Sequence, residues 1–173
     1  MAGYTKIALK TMAARYTDSD IQQLLAEHKQ LPEEFRKRLK LREKRGHREA
    51  ELAVAGSAGT EFRLIARQNS LNVLDFSIIL AVCPAGSNQM FRLRRHNGKS
   101  HEHTNQIEAS TFYDFHIHMA TERYQELGMR EDAYAEATER FGDFDSALRC
   151  RVDECGFETQ PDPNLRLFDE DEA

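Results

Sequence analysis

Cysteine is scarce in this chain, and long apolar runs are missing. Three cysteines, Cys83, Cys150 and Cys155, occur among 173 residues. An odd number without close paired spacing excludes a disulfide framework and a structural zinc knuckle. Cys83 closes an apolar strand and reads as a small core residue, and Cys150 and Cys155 fall near one helix end. No stretch approaches the roughly 18 consecutive apolar residues that a membrane helix needs, and no charged-then-apolar opening resembles a signal peptide. The expectation is a cytoplasmic protein with no membrane partner. No internal repeat of useful length is present. The length suits one domain with flexible ends.

Charge is plentiful but unevenly spread. Residues 1–100 hold 18 Lys/Arg against 10 Asp/Glu, and residues 101–173 hold 6 against 19, within a formal net charge of −5. A basic surface for a polyanion and an acidic portion that faces elsewhere or shields it are the natural reading of such asymmetry.

Four segments follow from patterning. Residues 1–16 show no firm periodicity. Residues 17–55 read as a basic helical region. Thr17-Asp18-Ser19-Asp20 is a helix start with Ile21, Leu24, Leu25 and His28 on one face. Pro32 opens a second helix to about residue 55 that carries Arg36, Lys37, Arg38, Lys40, Arg42, Lys44, Arg45 and Arg48. After a hinge at residues 55–59, residues 60–157 read as an α+β domain. Its strands lie near residues 61–68, 73–83, 90–95 and 112–119, and helices resume from Thr121, over 131–141 and after Asp143. Residues 158–173, ending in Asp169-Glu170-Asp171-Glu172, read as an acidic disordered tail. The predicted fold is α+β: a four-stranded antiparallel sheet with an N-terminal helical hairpin and C-terminal helices packed on one face.

The chemistry concentrates between residues 92 and 118. In Phe115-His116-Ile117-His118-Met119, strand alternation puts both imidazoles on one face and Phe115, Ile117 and Met119 on the other. Phe91-Arg92-Leu93-Arg94 repeats the design with Arg92 and Arg94 outward. Between the two runs lies Arg95-His96-Asn97-Gly98-Lys99-Ser100-His101-Glu102-His103-Thr104-Asn105. Arginine neutralises phosphate and histidine moves protons near neutral pH. The predicted roles are catalytic for His116, His118, Arg92 and Arg94, and substrate-binding for Asn97, His101, His103 and Asn105, with Arg38, Arg42 and Arg45 contributing from the basic helix. Such cleavage of RNA needs no metal or other cofactor, because the 2′-hydroxyl is an internal nucleophile.

Two other readings use the same residues. His101 and His103 joining His116 and His118 form a plausible metal set and hence a metal-dependent enzyme. The spacing from His116 and His118 to Glu122 matches a cupin signature, but the upstream glycine is missing and Glu122 falls at a helix start. A non-catalytic adaptor for nucleic acid or protein would use the basic helix and the His/Arg face for recognition alone.

The runs Phe91-Arg92-Leu93-Arg94-Arg95-His96-Asn97-Gly98, His101-Glu102-His103-Thr104-Asn105 and Phe115-His116-Ile117-His118 resemble a pattern of small bacterial proteins with an H-T-N loop and a later H-I-H strand. The layout is also similar to the TumE-like toxin family, across roughly residues 63–124. The resemblance implies a toxin of a toxin–antitoxin module that acts on RNA and is neutralised by a separately encoded antitoxin. A homo-oligomer is a separate expectation. The resemblance maps onto Arg94 or Arg95, Asn97, His103, Asn105, His116 and His118. The basic N-terminal region and the acidic tail depart from the compact toxin pattern. The reading as a whole is a toxin-like endoribonuclease.

Overall fold

A computed structural model describes residues 14–158. Most of the expected N-terminal segment, and the expected acidic tail beyond Glu158, lie outside these residues.

The chain is α+β around one antiparallel sheet of seven strands, where four were expected. Chain order is α1 (Asp18–Ala26), β1 (Lys29–Gln30), α2 (Phe35–Arg38), β2 (Arg42–Lys44), β3 (His47–Ala55), β4 (Glu61–Asn69), β5 (Phe76–Val82) and β6 (Phe91–Asn97). Then come β7 (His103–Asn105), β8 (Ser110–Phe112), β9 (His116–Met119), α3 (Glu122–Glu126), β10 (Tyr134–Ala137), α4 (Phe144–Glu154) and β11 (Phe157–Glu158). Strands line up as β10-β9-β6-β5-β4-β3-β2, every neighbour antiparallel. The β7–β8 hairpin stands apart, and β1 pairs with β11 in parallel.

The long basic helix expected over residues 32–55 is corrected to a four-residue helix and a β-hairpin. Arg45 and Gly46 both take positive φ, +50° and +86°, between the paired ends Lys44 and His47. A two-residue loop with both φ positive matches the right-handed twist of its strands. Beyond it Ala50, Leu52 and Val54 are buried while Glu49, Glu51, Ala53 and Ala55 face the other way, a period of two rather than 3.6. The hinge at residues 55–59 belongs to the β3–β4 hairpin loop. The helix expected over 131–141 is likewise replaced by β10, whose ladder with β9 and fully buried Ala135 override its helical composition.

The sheet has two unlike faces. One carries Leu52, Val54, Phe62, Leu64, Phe76, Ile78, Leu80 and Ile117 into a core closed by α1 and α4. α1 starts at a capping box between Thr17 and Asp20, as its sequence predicts, and buries Ile21 and Leu25. α4 starts at an Asp143–Ser146 box and buries Ala147, Leu148 and Arg151.

Lys29 joins the two helix ends. Its buried ammonium donates to the carbonyls of Leu24 (2.7 Å), Leu25 (3.1 Å), Glu27 (2.7 Å) and Cys155 (3.0 Å). Helix C-termini leave carbonyls without intrahelical partners, and one cation satisfies both sets. Gly156 ends α4 at φ +66°, where an added Cβ would press the Glu27 carbonyl at 2.6 Å.

The second face carries residues of opposite register: Arg63, Arg67, Ser77, Arg95, Asn97, His116 and His118. The β7–β8 hairpin lies against one end of this face, beside β10. Asn105 makes the joint, because its Oδ1 accepts from Ala135 N (2.9 Å) and its Nδ2 donates to Ala135 O (2.7 Å). One side chain thereby supplies both bonds that a further strand would have offered to this edge.

Candidate metal centre

His116 and His118 share one sheet face, as alternation requires, but they are buried at 0% and 3% exposure rather than solvent-facing. The hairpin brings His103 onto them. Ring centroids lie 5.4 Å apart for His103 and His116, 4.7 Å for His103 and His118, and 4.9 Å for His116 and His118. One ring nitrogen from each of the three lies within 4.8 Å of the other two. Phe112 packs against His103 and His116, with centroids 5.4 and 5.6 Å away.

Hydrogen bonds set the tautomers. His116 Nδ1 sits 2.7 Å from the Asp114 carbonyl and His118 Nδ1 sits 2.9 Å from the Asp132 carbonyl. A carbonyl only accepts, so both Nδ1 atoms carry the hydrogen and both Nε2 atoms keep a lone pair. His103 Nε2 lies 3.0 Å from Asn105 Oδ1, whose orientation is fixed by the Ala135 amide. Its hydrogen therefore sits on Nε2, and the lone pair is left on Nδ1. His116 Nε2 and Asn97 Oδ1 are buried with no partner among the described residues. The Asn97 Nδ2 group approaches His118 Nε2 at 3.4 Å. Lone pairs are thus gathered in one place with few hydrogens to meet them.

The rings are held neutral. Burial, with smaller contributions from His103, His101 and Arg95, takes the His116 pKa down to about 4. Burial followed by the Arg95 charge takes His118 to about 2, and burial also lowers His103. A neutral imidazole with one nitrogen hydrogen-bonded and the other carrying a lone pair is the form that binds a metal ion. It is poorly suited to a general acid at neutral pH.

The expected guanidinium pair is not on this face as a pair. A β-bulge in β6 sets Arg92 opposite Ala81 and Arg94 opposite Leu80, leaving Leu93 as the extra residue. Arg94 is thereby turned to the helix-covered face, 3.8 Å from Glu154, and Arg92 reaches Glu131 at 3.8 Å. The arginine beside the imidazoles is Arg95, directly opposite His118 in the ladder. Its Nε bonds the buried Asp132 carboxylate at 3.0 Å, and Arg130 grips the other oxygen of Asp132 at 2.9 Å. Asp132 therefore positions two cations through its side chain and His118 through its carbonyl. Sequence alternation without the bulge could not select Arg95. Asp132 lies in a segment read as helix, and Arg130 directly before it.

The remaining expected residues divide. His101 lies near the cluster, 5.4 Å from the His116 ring, and lines the adjoining hollow. Asn97 and Asn105 are largely buried, Asn97 beside His118 and Asn105 beside His103. Arg38 in α2, Arg42 in β2 and Arg45 in the β2–β3 turn do not join the site. They lie at the opposite edge of the sheet, five strand spacings or about 24 Å from β9. His96 also leaves the cluster, since it points to the helix face and stacks on Phe141. There it forms a second group with Cys150 and Glu154. Glu154 is already paired with Arg140 and near Arg94, and Arg151 adds further positive charge, so that pocket is hostile to a cation.

The three-imidazole cluster opens onto a hollow of about 490 Å³ lined by Arg95, His101, His103, Gln106, Tyr124 and Arg130. Arg95 and Arg130 face it together with His101, His103 and His118, which makes it a place for an anion beside a ligand-ready cluster. Fold and site together describe an antiparallel-sheet protein with a buried histidine triad under a hairpin flap. No family model, curated protein or solved structure matches the chain. The toxin reading therefore stands on its H-T-N and H-I-H runs.

Proposed function

We propose that the protein is a metal-dependent phosphodiesterase whose His103, His116 and His118 hold one divalent transition-metal ion, with RNA as the substrate class. The observation that carries this reading is the convergence of three imidazoles, each with one ring nitrogen within 4.8 Å of the others; in two of them Nδ1 is hydrogen-bonded to a backbone carbonyl, which leaves Nε2 with its lone pair. Imidazole-only sets suit zinc, copper, iron or nickel, and three ligands leave a position open for substrate or water. A tetrahedral ion would sit about 2.0–2.1 Å from each nitrogen.

A bound ion would polarise a phosphoryl oxygen and lower the pKa of a water at the open position. The chain's own contribution is positional. Arg95, clamped by Asp132, presents its guanidinium toward a phosphate entering the hollow. Arg130 and His101 flank the mouth. Phe112 and the hairpin exclude water from the buried side.

The metal version is favoured over metal-free acid–base catalysis because two of the three rings titrate far below neutrality and none has a carboxylate partner to hold a proton. Mixed RNA incubated with metal-free protein, with Zn²⁺ or Mn²⁺ restored, and with His118→Ala tests the proposal. Cleavage that needs added ion and vanishes in the variant is the expected result. Equal cleavage in excess chelator returns the site to the metal-free mechanism, and intact RNA in every lane removes the nuclease. As a toxin, the protein should arrest growth on expression, with relief by His118→Ala.

A further inference from the structure

The far edge of the sheet carries an excess of positive charge, with seven Lys/Arg against Glu33, Glu34 and Glu43 over residues 33–45. Arg36, Arg38, Lys40, Arg42 and Arg45 are all exposed, and none forms a salt bridge among the described residues. Nearby Lys37 pairs with Glu34 and Lys44 with Glu49, so the pairing stops short of the other five. They fall in α2, the link to β2, β2 itself and the turn after it. Unpaired like charges at this density repel one another, and they lower their energy by meeting a polyanion.

The course of the chain brings such a polyanion close. β11 ends at Glu158 beside β1, and Glu158 and Arg38 line the same surface cleft of about 520 Å³. The chain therefore leaves the described part next to the basic edge. Residues 159–168 are ten residues long and reach at most about 33–36 Å when extended. Asp169, Glu170, Asp171 and Glu172 follow directly. Arg38 shares a cleft with Glu158, so the near end of the edge lies within that length, and a tether of this size corresponds to an effective concentration on the order of millimolar.

We propose that the acidic segment 169–172 docks in cis on the basic edge formed by Arg36, Arg38, Lys40, Arg42 and Arg45. It acts there as a built-in competitor for a nucleic-acid backbone. The proposal is independent of the metal centre, because the two surfaces lie at opposite ends of the sheet. A tethered anion at millimolar effective concentration raises the apparent Kd of an external polyanion in proportion to its own occupancy of the site.

The test uses the full chain and a fluorescent single-stranded oligonucleotide at low salt. The tail is neutralised as Asp169→Asn, Glu170→Gln, Asp171→Asn and Glu172→Gln, and the edge as Arg38→Gln, Arg42→Gln and Arg45→Gln. Neutralising the tail should tighten oligonucleotide binding about tenfold with the edge intact, and should have little effect once the edge is neutralised. An equal gain in both backgrounds, or no gain, overturns the proposal, since that is general charge or nothing. In the same samples a zero-length carbodiimide cross-link should join Lys40 to the acidic segment within a monomer. Cross-links found only between two copies would overturn docking in cis in favour of exchange between chains. Neither readout depends on metal or on RNA cleavage.

Discussion

The chemistry depends on which nitrogen of each histidine is bare. For His103 that choice is made by Asn105, which also ties the hairpin to β10. Asn105→Ala should lower metal affinity by about 10–100-fold, the usual scale for a residue that orients a ligand. Competition against a chromogenic chelator measures it, and unchanged affinity would mean that His103 is not a ligand.

Burial of neutral histidine also sets an acid limit. His96, His116 and His118 all sit below their ordinary value of 6.5, with His116 near 4. In the unfolded chain they take up protons once the pH falls through 6.5, while the native rings do not. Stability of the metal-free protein is therefore fully present above about pH 6.5 and declines below it. The limiting slope is about 1.4 kcal/mol per pH unit for each such ring. Urea unfolding between pH 7 and 4.5 measures this, and a flat profile would show that the rings are open to solvent.

At the scale of the elements, two local devices hold the site in register. Gly98 follows β6 where an added Cβ would collide with the Leu74 carbonyl. Gly98→Ala should cost about 1–3 kcal/mol by thermal or chemical melting, because backbone and not a flexible side chain must move. Lys29→Met removes the cation shared by the ends of α1 and α4. It should cost about 3 kcal/mol by leaving buried carbonyls unpaired, while metal affinity stays unchanged. A melting midpoint that does not move would show that water can replace the ammonium.

These elements also show what was readable beforehand. The alternation in His116-Ile117-His118 placed two imidazoles on one face directly, and His103 was within reach as part of the H-T-N run. Alternation could not single out Arg95, which entered only as one of two positions in the resemblance, because the β6 bulge changes the parity of the strand and no residue in Phe91-Arg92-Leu93-Arg94 announces it. Residues 47–55 alternate cleanly, yet the density of arginine and lysine before them imitates a solvated helix face. Only the positive φ of Arg45 and Gly46 resolves the segment as a hairpin. In Tyr134–Ala137 two alanines favour helix, and the ladder to β9 outweighs that preference. The pairing of distant strands is the information that local patterning lacks.

For the whole molecule, the sheet separates two polar regions. Imidazoles and Arg95 occupy the β9 end, and the unpaired cations of α2 and β2 occupy the other. Nucleic-acid affinity should therefore fall steeply with salt through the basic edge, whereas metal affinity should respond weakly to salt. A salt slope unaffected by Arg42→Gln and Arg45→Gln would place the polyanion contact elsewhere. No helix of the described residues is long and apolar enough to cross a membrane.

The central claim is that three histidines form one metal-binding unit. Titration of the metal-free protein with Co²⁺, followed by displacement with Zn²⁺, tests it most directly. The account predicts saturation at one ion per chain, the visible bands of four-coordinate cobalt, and loss of that signal in His103→Ala, His116→Ala and His118→Ala alike. Absence of tight binding, or binding that survives all three substitutions, would contradict it.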